Sequence, residues 1–409
     1  MATHPRLAGR TLLRRRSVFV LIFYAALLSH HPTTPPKPFP AESNAILATV
    51  TLLPGSFEKE LAMRIMRFFA VGLVLGALMI LIASIVYGSV VHQGPWANGA
   101  AYFNPGIGKA GITCTKTLAR GGNVQTFVNN LKSGQVGCLH GGTYTSPNFV
   151  KLSGSGYTLA GYPGEKAVYR GGFNFGSSSN VTLQGFTVNA SYAPVSTSNG
   201  RTNTAQAANL GSSSGAFLGS MVLMNRRDPD HSGTCVFGGT SKGAQIIASF
   251  IHTCGQARAG EGEHGIYIGN TTRGMLVKNT WVNDVEDNAW KFTQTISNNH
   301  FVGDVADKVD SSPCCNYDAV LFNDSPKGNL LENSVVRGVP NQATVRVAPG
   351  HSGSNNIVHN NCLWPVGANK NGSNVTMSNN VVADPKISGF KVTNPDCYAK
   401  LPHDSPFRP

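Results

Sequence analysis

Charge is scarce in this chain: 33 Lys or Arg and 20 Asp or Glu make up 13% of its residues, against about a quarter in an ordinary soluble domain. Basic residues form no stripe interleaved with aromatics, which removes the footprint that nucleic-acid binding requires, and no nucleic-acid partner is expected. No C-x-x-C pair occurs, so a zinc site has no starting point and no metal ligand set is assigned. Cysteine is absent from the first 113 residues, although eight lie beyond them. What is abundant is glycine, with 46 residues, and asparagine is frequent beside it. Both residue types suit sharp bends, and a chain with many bends and little charge points to an all-β body of short strands.

The excess of 13 positive charges is uneven, because residues 1–67 carry nine Lys or Arg against Glu42, Glu58 and Glu60. Phe68 to Val91 then runs for 24 residues without a charge, and about 20 apolar residues span a bilayer as a helix. Arg64 and Arg67 stand just before the run, so the positive-inside rule places the chain beyond His92 outside the cytoplasm. A membrane partner through one helix, with the body at the outer face of the cell membrane or secreted, is the expectation. A cleavable signal is the alternative, with a weak small-residue site at 97–100. Upstream, Arg14 to Arg16 precede a shorter apolar run, Val18 to Leu28, and a proline-rich stretch, Pro32 to Pro40. Met63 opens a segment that would itself serve as an export start, so residues 1–62 read as a cytoplasmic or over-extended, disordered extension, 63–92 as the anchor and 93–112 as a linker.

An even number of cysteines on the outer side suggests disulfides. Sequence proximity pairs Cys114 with Cys138, Cys235 with Cys254, and Cys362 with Cys397, among 105 pairings that eight cysteines allow; buried free thiols are the other reading. Cys314 and Cys315 are adjacent, and a bond between neighbours is strained.

Periodicity is the strongest signal. The template apolar, x, Asn, x, x, apolar fits Leu183 to Val188, Ile246 to Ile251, Val277 to Val282, Ile296 to Phe301, Leu331 to Val336, Val358 to Leu363 and Met377 to Val382. The third slot holds Gly185, Ala248, Asn279, Asn298, Asn333, Asn360 and Asn379. Asn tolerates the left-handed backbone that a sharp bend needs, and stacked copies can bond amide to amide. Between these copies lie Ile266-Tyr267-Ile268, Trp290-Lys291-Phe292, Val320-Leu321-Phe322 and Val345-Arg346-Val347. Alternation buries the outer members and exposes Tyr267, Lys291, Leu321 and Arg346 as one column. The expected fold is an all-β, single-stranded right-handed parallel β-helix over 113–395, with 396–409 as a tail. Val124 to Leu131 has helical spacing and sits where a cap for the first coil belongs. A Cys114–Cys138 bond around it would add about 3 kcal/mol in the chain-entropy picture.

These residues resemble the right-handed β-helix repeat proteins of the pectate-lyase-like superfamily, especially bacterial secreted members. The likeness rests on the helix leading into CLHGGTYT (138–145), on the strand EHGIYIGN (263–270), and on the Asn pairs 298–299, 360–361 and 379–380. It implies fold far better than activity, since the superfamily holds lyases, hydrolases, epimerases and non-catalytic surface proteins.

The exposed column is the place where such a fold puts chemistry. Elimination from a uronic-acid polymer needs a base for the proton α to the carboxylate and positive charge for the enolate. Lys291 and Arg346 are the candidates, with His264 as a third catalytic candidate or a structural histidine facing inward. Tyr267 could stack on a sugar, and Asp287 is a second substrate contact. Asp304, Asp307 and Asp310 are spaced so that one turn region could hold Ca²⁺, the only cofactor the sequence suggests. A polysaccharide lyase acting on an acidic polysaccharide is the first reading. A non-catalytic module binding a cell-surface glycan, or a structural solenoid, is the alternative.

Overall fold

The computed structural model describes residues 103–146, 148–193, 196–198, 201–203, 206–225, 233–255, 264–309, 318–340, 342–348, 353–369 and 375–409. The 1–62 extension, the proposed span Phe68 to Val91, Cys314, Cys315 and Asp310 lie outside the described residues. Among the described residues no helix is long and apolar enough to cross a membrane.

Successive strands visit three parallel sheets in turn, so the chain winds as a parallel β-solenoid. Among the described residues the first sheet has 11 strands, from Lys116–Leu118 to Val375–Ser378; the second has nine, from Gly142–Thr145 to Cys362–Trp364; the third has nine, from Val150–Lys151 to Ala368–Asn369. Pairing is in register from coil to coil, which stacks like on like. Val277, Phe301, Leu331 and Val358 line up inside the first sheet. Ile266, Trp290, Val320 and Val345 do so inside the third. All eight are fully buried. Phe292 and Phe322 stack at 4.5 Å between ring centres, the offset aromatic contact that adds to plain area burial.

The bends fall into two columns, where the sequence template merges them into one. Between the first and second sheets the left-handed position is held by Gly185, Ser220, Ala248, Asn279, Gly303, Asn333, Asn360 and Asn379, with φ between 48° and 70°. Between the third and first sheets it is held by Asn180, Gly215, Gly243, Gly274, Asn298, Gly328 and Asn355. Asn298 therefore belongs to the other corner from Asn279 and Asn333. Both corners demand positive φ, and Asn meets that demand at either one.

Two amide ladders result. In the outer one, Asn360 Nδ2 donates to Asn333 Oδ1 at 2.6 Å and Asn379 Nδ2 to Asn360 Oδ1 at 2.8 Å. The inner one uses the residue after the bend. Asn299 Nδ2 donates to Asn329 Oδ1, and Asn329 Nδ2 to Asn356 Oδ1, both at 2.8 Å, and these three side chains are buried. The other corner has a matching inner row, Ser249, Thr280, Asp304, Ser334 and Asn361, in which the backbone N–H of Thr280, Asp304 and Ser334 each bonds the next side chain. The paired asparagines thus do two jobs: the first makes the turn and the second fills the polar row beneath it.

Asp304 is the one carboxyl in that row. Its Oδ1 accepts from Thr280 N at 2.8 Å, while Oδ2 is buried with no hydrogen-bond partner among the described residues. Burial pushes its pKa well above the usual carboxylate range, against the pull of the Thr280 and Val302 amides and of Lys278. An acid whose folded pKa is raised contributes stability that is fully present below about pH 4 and is lost as the pH climbs toward the folded pKa. Asp304→Asn keeps the acceptor and supplies a donor that can reach the Val277 carbonyl, as Asn361 Nδ2 reaches Leu331 O in a later coil. The variant is expected to unfold with about 1–3 kcal/mol more free energy at neutral pH. The gain should vanish near pH 4, as read from guanidinium titrations at both pH values.

Helix α1, Val124–Asn129, starts on Asn123, whose side chain accepts from Thr126 N. Val124 and Val128 are buried in the main core. Gln125 donates to Lys151 O and accepts from Lys151 N, so one side-chain amide satisfies part of the edge strand of the third sheet. Gly137 leaves no room for a side chain under this helix, since a Cβ there would lie 2.7 Å from the Phe127 ring.

Residues 396–409, a tail in the sequence reading, pack back onto the solenoid. Phe250, Trp281, Val305, Val335 and Cys362 stand in register on the outside of the second sheet. Phe390, Val392, Leu401 and Phe407 cover them, and the Phe103 ring meets both Phe390 and Phe407 edge-on. Disulfides join Cys114 to Cys138, Cys235 to Cys254 and Cys362 to Cys397. The last ties this covering segment, through helix α2 (Pro395–Tyr398), to the second sheet.

Candidate functional site

The outward column of the third sheet reads, in register, Lys151, Asn174, Asn209, Phe237, Tyr267, Lys291, Leu321 and Arg346. Tyr267, Lys291, Leu321 and Arg346 alternate with the buried residues beside them and are half-buried themselves. With strands about 4.8 Å apart, Lys291 and Arg346 stand roughly 10 Å from one another along the solenoid axis. Phe237, one coil before Tyr267, extends the column; the two rings stack at 5.5 Å and 28°. Sequence reasoning passes over Phe237, although it sits in a short apolar run one coil upstream.

His264 is 4% exposed and lies two residues before the inward Ile266. Its ring stacks on Tyr267 at 5.1 Å and 20°, and its Nε2 is 3.3 Å from Lys291 Nζ. Burial first, and the neighbouring Lys291 second, hold its pKa well below the usual imidazole range. On the other side Nδ1 is 3.2 Å from Asp287 Oδ2, close in distance but out of line for a direct hydrogen bond. Lys291 Nζ also sits 5.4 Å from the centre of the Tyr267 ring, within cation–π range.

Asp287, a substrate contact in the sequence reading, is 3% exposed. The strand Trp281–Val285 carries a left-handed residue, Asp284, at its end, and the chain then turns Glu286 and Asp287 inward. Asp287 therefore backs His264 and does not face the groove. Arg346 Nη1 lies 3.4 Å from Asp318 Oδ2, and Asp318 is 3% exposed. Burial raises the Asp318 pKa while the Arg346 guanidinium works against that rise. Asp318 escapes sequence reasoning, yet it stands two residues before Val320 just as His264 stands two before Ile266 and Asn288 two before Trp290. Asn288 Nδ2 donates to the Asp318 carbonyl. The three form a buried polar row along one margin of the exposed column.

The Ca²⁺ reading of Asp304, Asp307 and Asp310 loses its geometry. Asp304 points into the inner row, Asp307 bonds Arg337 Nε at 2.5 Å on the second sheet, and Asp310 lies outside the described residues. Among the described residues no cluster of three or more His, Cys, Asp or Glu side chains is placed to hold a metal ion.

No protein-family profile matches the chain, and no curated protein matches it. Solved structures do. Pectate lyase Pel9A is similar over 73% of this chain and 90% of its own, at 14% identity and a TM-score of 0.39. An alginate lyase from Paenibacillus sp. str. FPU-7 is similar over 66% of this chain and 100% of its own, at 13% identity and a TM-score of 0.37. The surface adhesin PfbA of Streptococcus pneumoniae is similar over 68% of this chain and 89% of its own, at 14% identity and a TM-score of 0.41. At such identities the likeness is one of fold. The chain is a parallel β-solenoid, as its own strand order shows.

Proposed function

We propose that this is an extracytoplasmic, carbohydrate-active β-helix that binds an acidic polysaccharide along the outward column of the third sheet and cleaves it by β-elimination. The observation that carries the reading is the convergence on Lys291: His264 Nε2 lies 3.3 Å and the centre of the Tyr267 ring 5.4 Å from its Nζ, and Arg346 stands two coils on, on the same face. Two cations on one rigid face suit the carboxylates of a polymer lying across the strands. Elimination passes the proton α to one carboxylate to a basic side chain of the groove or to water, turns the C–H pair into the new double bond, and expels the glycosidic oxygen, which takes up a proton as it leaves an unsaturated sugar behind. Charge that gathers on the carboxylate during this step is what a fixed cation stabilises. The disulfides among the described residues fit an oxidising compartment, and the apolar run Phe68 to Val91 is the proposed anchor that would hold the body there.

Incubation with a panel of uronic-acid polymers should give new reducing ends together with the ultraviolet absorbance of an unsaturated product. Phe237 stacked on Tyr267 favours a second reading, a glycan-binding surface without turnover, since aromatic faces hold sugar rings without needing to react with them. Binding of a polymer with no product from any of the panel would establish that reading and remove the lyase.

A further inference from the structure

A narrow fourth face runs along the corner between the third and first sheets. Successive coils turn there twice, first at Gly211, Gly239, Asn270, Gln294 and Asp324 and again four residues on, with positive φ at both bends. The three residues between the bends alternate as a strand does. The middle one is buried in each coil: Ser213, Ser241, Thr272, Ile296 and Pro326. The first is exposed or half-buried: Ser212, Thr240, Thr271, Thr295 and Ser325. So is the third: Ser214, Lys242, Arg273, Ser297 and Lys327, whose backbones bridge in parallel register from coil to coil. Across these five coils every outward side chain is a hydroxyl or a cation. We infer that this strip is a second polysaccharide-binding site, in which Lys242, Arg273 and Lys327 take the carboxylates of an acidic polymer and the hydroxyl rank bonds its sugar hydroxyls. It lies around a bend from the outward column of the third sheet, and it stands whether or not that column cleaves anything.

The hydroxyls are held in rank by their own coils. Thr240 Oγ1 donates to Ser212 Oγ at 2.8 Å, and Thr295 Oγ1 to Asn270 O at 3.1 Å. A hydroxyl that donates once still has lone pairs with which to accept. Asp324 is the one acid in these corner segments, and its carboxylate accepts from Thr293 Oγ1 and Gln294 N. Among the described residues no carboxylate pairs with Lys242, Arg273 or Lys327, which leaves their charge to a partner from outside. Lys242 and Arg273 stand one coil apart, about 4.8 Å, and Lys327 two coils further, roughly 10 Å. An extended 1,4-linked polyuronate advances by about one strand spacing per sugar, so a chain lying along the solenoid axis passes its carboxylates across the cations in step. No aromatic ring stands among the outward residues of the strip, so it offers no stacking platform to nucleic-acid bases.

Affinity electrophoresis of the full chain through gels holding polygalacturonate or alginate reads binding directly. Each measurement is repeated in a Lys291→Ala background, so that cleavage does not consume the gel. Replacing Lys242, Arg273 and Lys327 together by Gln should weaken binding about tenfold, the combined size of three exposed ion pairs, and flatten its dependence on salt. Lys242→Arg, Arg273→Lys and Lys327→Arg together keep the charges and should bind as the native protein does. Lys132, Lys166 and Lys308 are exposed cations on other faces; replacing these three by Gln removes the same net charge and should also leave binding unchanged. Methyl-esterified pectin, which lacks the free carboxylates, should be held weakly by every form. All the substituted side chains are exposed, and a thermal midpoint within a few degrees of the native one confirms folding. Native affinity in the strip variant, or an equal loss in the control set, would overturn the inference. Retention of a sulfated glycan or duplex DNA as tight as that of the polyuronates would overturn the assignment to carboxylates. A polyuronate held by the strip, with no unsaturated product from any polymer, would remove the lyase and leave this inference in place. Product formation by a protein whose strip variant binds like the native one would do the reverse.

Discussion

Lys291→Ala is expected to lower the rate of unsaturated-product formation by about 10²–10³-fold, the loss that attends removal of one preorganised charge or donor from a reacting oxyanion. The loss should fall mainly on kcat. A uronate in the ground state already carries its charge and keeps Arg346 as a partner, whereas the extra charge delivered to the carboxylate during proton removal meets Lys291 alone. KM should therefore change less than kcat, and the two are separated by initial rates over a range of polymer concentrations. Stability should hardly move, because the side chain is half-buried on the outer face of a strand whose flanking residues, Trp290 and Phe292, supply the burial. A thermal midpoint within a few degrees of the native one is part of the expected result. Lys291→Arg should not restore the rate, since the planar fork cannot present a single compact charge at the same point between His264 and Tyr267. An unchanged rate in the alanine variant would remove Lys291 from the chemistry and with it the groove as a reacting site.

The exposed column is legible because a solenoid repeats. Once Ile266, Trp290, Val320 and Val345 are recognised as equivalent, period-two alternation places Tyr267, Lys291, Leu321 and Arg346 outward in register, and the strand pairing has them so. His264 shares parity with Ile266, which turns it inward, and it is buried. Asp287 escapes the same logic for a local reason. A left-handed residue at Asp284 breaks the alternation, and after such a break parity no longer says which way a side chain points. The merging of two corners into one template has the same root: a turn signal reports a backbone conformation, and two different corners that need the same φ look alike in sequence.

The covering segment shows what a repeat-centred reading overlooks. Residues 396–409 carry no repeat, so they register as a tail, yet the outward face of the second sheet requires that something lie on it. Phe250, Trp281, Val305, Val335 and Cys362 occupy equivalent first positions of five successive strands, and alternation makes every one of them outward. An outward apolar column of that length is a patch that a monomer rarely leaves exposed. Its length, read together with Phe390 and Phe407 in the last twenty residues, is the signal that finds the cover. Phe407 is fully buried as a result.

The inner ladder is where the fold should prove most sensitive. Asn329 accepts from Asn299 N at 3.1 Å and Nδ2 at 2.8 Å through one oxygen, and its own N and Nδ2 both donate to Asn356 Oδ1. Asn329→Ala removes the oxygen and the amide together. The Asn299 backbone N–H is then left in a dry interior without its acceptor, Asn356 Oδ1 loses one donor, and a small cavity opens. Each orphaned buried group costs about 1–3 kcal/mol, and linked bonds of this kind lose more than a single pair does, so the expected destabilisation is about 3–5 kcal/mol by guanidinium titration. Asn333→Gly makes the contrast. Glycine accepts the left-handed bend without strain, and the lost bond to Asn360 is partly exposed to water, so that variant should lie within about 1 kcal/mol of the native protein. The difference separates two roles that the sequence presents as one run of asparagines: at the bend the residue answers to backbone geometry, which glycine also satisfies, while beneath the bend it answers to buried donors that need a side-chain acceptor. Equal costs for the two substitutions would mean that coil-to-coil stacking does not rest on the inner amides.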